Sequence, residues 1–203
     1  MELRIAKVIS YLFHPLLIPL YTILFLFNSD NYLSLLIPMK GKLLLVAIVL
    51  LTTVLMPLLT GFLLIRLKIV QSFFPKTRDD RIYLLLNTAI FYYLTYYLLK
   101  GIHVSLVFNY FMLGSTLLVI CSLMITFFYR ISLHMIATGG VLGGALGLTL
   151  GHSADVIGVI LALVLLTGLT GTARLKIDSQ RPGEVYYGFL VGLTVMFLLF
   201  ILI

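Results

Sequence analysis

Seven apolar runs, near residues 5–27, 43–67, 82–99, 105–129, 133–150, 155–172 and 185–203, occupy most of the chain. A run of roughly 18 to 25 residues, wound as a helix, crosses a hydrocarbon core of roughly 30 Å, and a helix satisfies its own backbone hydrogen bonds there. A charged fraction of 10% and a mean hydropathy of +1.17 leave little chain for a soluble domain. The expected fold is therefore all-α: one polytopic membrane bundle over residues 1–203, with six to seven transmembrane helices. The count turns on the first run, where Pro15 and Pro19 either kink a spanning helix or make a re-entrant element.

Basic Arg4 and Lys7 stand at the start of that first run, as they would in a signal peptide, but it is too long and has no small-residue cleavage site. It is expected to be a retained span. Cys121 is the single cysteine and lies inside an apolar run, so one chain builds neither a disulfide nor a thiolate cluster. The net charge of +7 is carried in short loops, which offers no basic face to nucleic acid. Anionic lipid head groups are the expected counterpart.

If each run crosses once, the N-terminus and segments 66–81, 130–134 and 173–184 share one side, with eleven of the fourteen basic residues. Lys40, Lys42 and Lys100 fall opposite. The positive-inside rule makes the rich side cytoplasmic, in an integral multi-pass protein of the bacterial inner membrane. The third, fifth and seventh runs begin on that side, each with capping chemistry: Thr77 with Asp80, then Ser132, then Pro182 with Glu184. Three helix N-termini on one surface stabilise an anion.

Gly139, Gly143, Gly147 and Gly151 recur at a spacing of four, which predicts close helix packing. The tyrosines of residues 91–99 fit an interfacial aromatic belt. His14 lies in the first run, while His103, His152 and Asp155 map to the opposite side. Hydrogen-bonded or interfacial roles suit these histidines better than a metal site, and no metal or cofactor is expected.

Three polar clusters remain on the basic side: Lys76, Arg78 and Arg81; Arg130, Ser132 and His134; Arg174, Gln180 and Glu184. Here the sequence resembles the type 2 phosphatidic acid phosphatase superfamily. Its third motif is an arginine, five residues, a histidine, three residues and an acid; Arg174, Gln180 and Glu184 keep that spacing. The following "EVYYGFLVG" also matches, with glycines four and eight positions after the acid. Ser132 and His134 keep the serine and histidine of the second motif, with Ile131 and Leu133 in place of its proline and glycine. Lys76 and Arg81 stand for the first motif at shorter spacing. The resemblance implies a phosphatase-like core over about residues 70–203, acting on a lipid or isoprenoid phosphate or diphosphate.

By the same resemblance, His134 is the general acid, Glu184 the orienting carboxylate, and Lys76, Arg78, Arg81, Ser132 and Arg174 the phosphate ligands. Gln180 stands where the family has its nucleophilic histidine. A carboxamide has no basic nitrogen lone pair, so no phosphoenzyme forms through residue 180. Phosphate binding by Arg174 and Lys76, helped by a hydrogen bond from Gln180, survives that change. Three readings of Gln180 stand side by side: a non-catalytic relative, a form altered to trap a bound state, or chemistry routed through another group. Two functions follow, a lipid phosphatase or a lipid-phosphate binder or carrier without turnover. Thr77, Ser132 and Glu184 also read singly as ordinary caps, and Lys76, Arg78 and Arg81 as markers of a cytoplasmic loop.

Overall fold

A computed structural model of the protein describes residues 3–28, 37–73, 75, 77–102, 105–152, 157–177 and 180–202. Its helices are α1 (Leu3–Leu12), α2 (Ile18–Asn28), α3 (Met39–Arg66), α4 (Arg78–Gly101), α5 (Leu106–Thr126), α6 (Leu133–His152), α7 (Ile157–Lys176) and α8 (Pro182–Ile201). Among the described residues there is no strand. The six helices α3 to α8 are long and apolar enough to cross a membrane, the pattern of an integral multi-pass protein.

The first apolar run forms two short helices instead of one of spanning length. Pro15 carries no N–H and disfavours helical backbone at His14, so α1 stops at Leu12 and the chain turns, with Leu17 N–H donating to His14 O at 2.8 Å. Pro19 then falls in the first turn of α2, where a missing N–H is tolerated. Neither piece, of 10 and 11 residues, spans roughly 30 Å of hydrocarbon.

The chain divides into two compact units. The first comprises Met1–Ile18 and Tyr129–Ile203, and so holds α1, α6, α7 and α8. Its core is the pairing of α6 with α8, whose backbones nearly touch because glycine faces backbone on both sides. A Cβ on Gly139 would sit 2.6 Å from Phe189 O, and one on Gly188 would sit 2.8 Å from Ser132 O. Gly143 and Gly192 are closed off likewise by the carbonyls of Leu193 and Ile136. Gly139, Gly143 and Gly147 of the spacing-four glycines thus form the small-residue interface expected of helices packed in lipid. Helix α7 packs on α6 and also carries α1. Ala6 and Ser10, four apart, are the buried residues of α1. Leu3, Ile5, Val8, Tyr11 and Leu12 are exposed, interspersed with exposed Arg4 and Lys7, a composition suited to a membrane surface.

The second unit, Pro19–Phe128, contains α3, α4 and α5 with nearly all of α2. Helix α3 widens to a π-helical stretch over Leu50–Leu55, where Met56 N–H reaches back five residues to Leu51 O. Pro57 explains the widening, since it cannot donate to Thr53 O and the helix must relax ahead of it. Thr52 and Thr53 reinforce the stretch by donating to the carbonyls of Ile48 and Val49 at 2.7 and 2.8 Å. Polar side chains fasten α3 to α4: Thr95 Oγ1 donates to Thr52 Oγ1 at 2.7 Å, Thr60 Oγ1 to Asn87 Oδ1 at 2.7 Å, and Asn87 Nδ2 to Pro57 O at 3.0 Å. Of the tyrosine belt, Tyr93 and Tyr97 face outward while Tyr92 turns into the core.

Candidate functional site

Three chain segments of the first unit bring their polar residues together. Arg174 lies in the last turn of α7, where a cation also complements the helix dipole. Its Nε donates to Gln180 Oε1 at 3.2 Å, on the short connection to α8, and its Nη1 donates to Ser10 Oγ of α1 at 2.8 Å. His134, in the first turn of α6, meets the same serine: Nε2 lies 3.0 Å from Ser10 O and 3.3 Å from Ser10 Oγ. The His14 ring stands edge-on to that of His134, 5.7 Å between centroids. Arginine, carboxamide, hydroxyl and two imidazoles thus form one half-buried group.

Hydrogen counting assigns the atoms. A carbonyl only accepts, so His134 Nε2 carries the proton it offers to Ser10 O, and the lone pair of the neutral ring is at Nδ1. Gln180 turns its oxygen to the guanidinium, which leaves its NH2 hydrogens uncommitted among the described residues. His14 Nδ1 accepts from Leu16 N–H at 3.4 Å, and burial followed by the charge of Arg174 holds its imidazole below the ordinary histidine pKa.

A second set adjoins it along α6 and α8. Pro182 opens α8 with Glu184 in the first turn, as the sequence predicts. Glu184 is buried, with Oε2 lying 3.9 Å from Arg130 Nε, a partly exposed ion pair. Its main-chain carbonyl accepts from Ser132 N–H at 3.0 Å, which ties the start of α6 to the start of α8. Ser132 begins α6 through its carbonyl, bonded to Ile136 N–H at 3.0 Å, but the expected side-chain cap does not form. Among the described residues, the fully buried Ser132 Oγ and the Glu184 Oε2 atom have no hydrogen-bond partner, and Glu184 Oε2 keeps its ion pair with Arg130.

The other sequence-derived residues fall elsewhere. Lys76 is outside the described residues, as are His103 and Asp155. Arg78 and Arg81 belong to the second unit. Arg78, exposed, stacks over Phe127 with 5.5 Å from guanidinium carbon to ring centroid, and Arg81 is buried beside the buried Asp80 in the first turn of α4. Thr77 caps that helix as expected, accepting from Asp80 N–H at 3.3 Å. Among the described residues, no hydrogen bond joins Glu184 to Gln180; Glu184 faces Arg130 and Gln180 faces Arg174. Among those residues, too, no three histidine, cysteine or carboxylate side chains are placed to hold a metal ion.

Sequence reasoning missed Ser10. Its signal was present: a lone hydroxyl between Ile9 and Tyr11, one helical turn ahead of His14, on the face where α1 has only Ala6 for company.

No protein-family model, no curated protein and no solved structure matches the chain.

Proposed function

We propose that this is a membrane protein of the phosphatidic acid phosphatase type, and that its first unit holds the phosphate or diphosphate head of a lipid or isoprenoid. The supporting observation is the meeting of Arg174 and Gln180 with His134 through Ser10, side chains drawn from three separate stretches of chain. The arginine supplies a planar fork of N–H groups, and the Gln180 amide two more. The lipid tail remains in the bilayer while the head group enters at the membrane boundary, in a bacterial inner membrane.

Gln180 favours binding without turnover. Hydrolysis through a phosphoenzyme needs a basic nitrogen at that position, and the amide oxygen already accepts from Arg174. In this reading the chain is a lipid-phosphate binder or carrier. Reconstitution into liposomes separates the two functions. A carrier moves fluorescent phosphatidate between leaflets and releases no inorganic phosphate, whereas a phosphatase releases it.

A further inference from the structure

The Ser10 hydroxyl is a hydrogen-bond donor that the fold places at the site without an acceptor among the described residues. Ser10 Oγ accepts from Arg174 Nη1 at 2.8 Å. His134 Nε2, 3.3 Å away, already carries a proton because it donates to Ser10 O, so it cannot accept the hydroxyl hydrogen. Serines inside helices ordinarily donate to the carbonyl one turn back, as Ser115 and Ser122 do here at 2.8 and 2.6 Å. Ser10 makes no such bond to Ala6 among the described residues.

We propose that Ser10 is a ligand of the phosphoryl group, donating its hydroxyl hydrogen to an oxygen that Arg174 binds at the same time, so that α1 forms one wall of the site. This rests on the phosphate-binding reading above. The geometry suits it: an oxygen accepting from both groups gains a charged and a neutral donor that are already 2.8 Å apart and pre-aligned. The hydroxyl keeps its acceptor role to Arg174 while donating, so no bond has to break for the anion to enter. Because the contact is to phosphoryl oxygen alone, it serves a lipid phosphate and free phosphate alike.

The test compares the full chain with Ser10→Ala, Ser10→Thr and Arg174→Ala in detergent micelles. Binding of inorganic phosphate and of short-chain phosphatidate is measured by calorimetry, and thermal unfolding is followed in parallel. Losing one hydrogen bond to a charged group should weaken both ligands about tenfold in Ser10→Ala. Ser10→Thr, which keeps the hydroxyl, should restore most of that loss. Binding of phosphatidate alone would identify the lipid as the source of the phosphoryl group, with the same Ser10 effect expected. Parent-like binding by a folded Ser10→Ala, while Arg174→Ala loses it, overturns the role of Ser10 and leaves the phosphate site standing. Failure of a Ser10→Thr that unfolds with the parent to recover binding also overturns it, since the loss in Ser10→Ala would then not come from the hydroxyl. No binding of either ligand by the parent chain overturns the phosphate site and the proposal together.

Discussion

Arg174 Nη1 donates to Ser10 Oγ at 2.8 Å, across 164 positions of sequence. This bond joins the last turn of α7 to a helix at the other end of the chain, and His134 completes the junction through the Ser10 carbonyl at 3.0 Å. The N-terminal helix is thereby part of the polar cluster.

Gln180→His puts an imidazole where the amide now meets Arg174. If the frame is that of a lipid phosphatase, the variant should release inorganic phosphate from phosphatidate at a rate clearly above the parent's. Release is followed colorimetrically in mixed micelles. Absence of any gain across phosphatidate and isoprenoid diphosphates would argue for a binder whose site no longer supports chemistry.

Gly143→Ala forces a methyl group against the Leu193 carbonyl, and α6 and α8 must separate to admit it. Overpacking of this kind costs about 1–3 kcal/mol, so the thermal unfolding midpoint in detergent should fall. Gly168→Ala is the control. Nothing lies within 4 Å of the added atom, and replacing a helical glycine there should leave stability unchanged or raise it by up to about 1 kcal/mol.

Asn87→Leu removes the side chain that accepts from Thr60 and donates to Pro57 O. Hydrogen bonds between membrane helices average about 0.6 kcal/mol, so losing two should cost about 1 kcal/mol. Unfolding in detergent measures it. An undiminished midpoint would mean that these two bonds add nothing to the contact of α3 with α4.

His14 titrates below its ordinary value of 6.5 because burial and Arg174 disfavour its charged form. The unfolded chain therefore binds this proton more readily than the folded one, and stability present above pH 6.5 is lost as pH falls below it. The unfolding midpoint should drop between pH 7.5 and pH 5, and His14→Gln, which cannot titrate, should drop less. Equal pH dependence in the two proteins would place the titration elsewhere.

Periodicity and hydropathy made α3 to α8 legible, because a helix in lipid needs a long apolar run and little else. Pro15 and Pro19 foretold the broken first run, although hydropathy alone could not choose between a kink and a stop. The glycine ladder announced the α6–α8 contact, and Pro182 with Glu184 announced the start of α8. Ser132 misled: its position fits a cap, but its hydroxyl makes no hydrogen bond among the described residues, while its backbone carbonyl lies close against Gly188. Ser10 stayed hidden for a different reason. Its partners are more than a hundred positions away, and no local pattern encodes a contact made only when α1 lies down on α7.

Titration of inorganic phosphate and of phosphatidate into the purified chain, beside Arg174→Ala, tests the central claim most directly. The account predicts saturable binding by the parent and a loss of tenfold or more in the variant, the order expected when charged hydrogen bonds worth about 1.5–3 kcal/mol are removed. Binding that is absent from the parent, or unchanged in a folded Arg174→Ala, would contradict it.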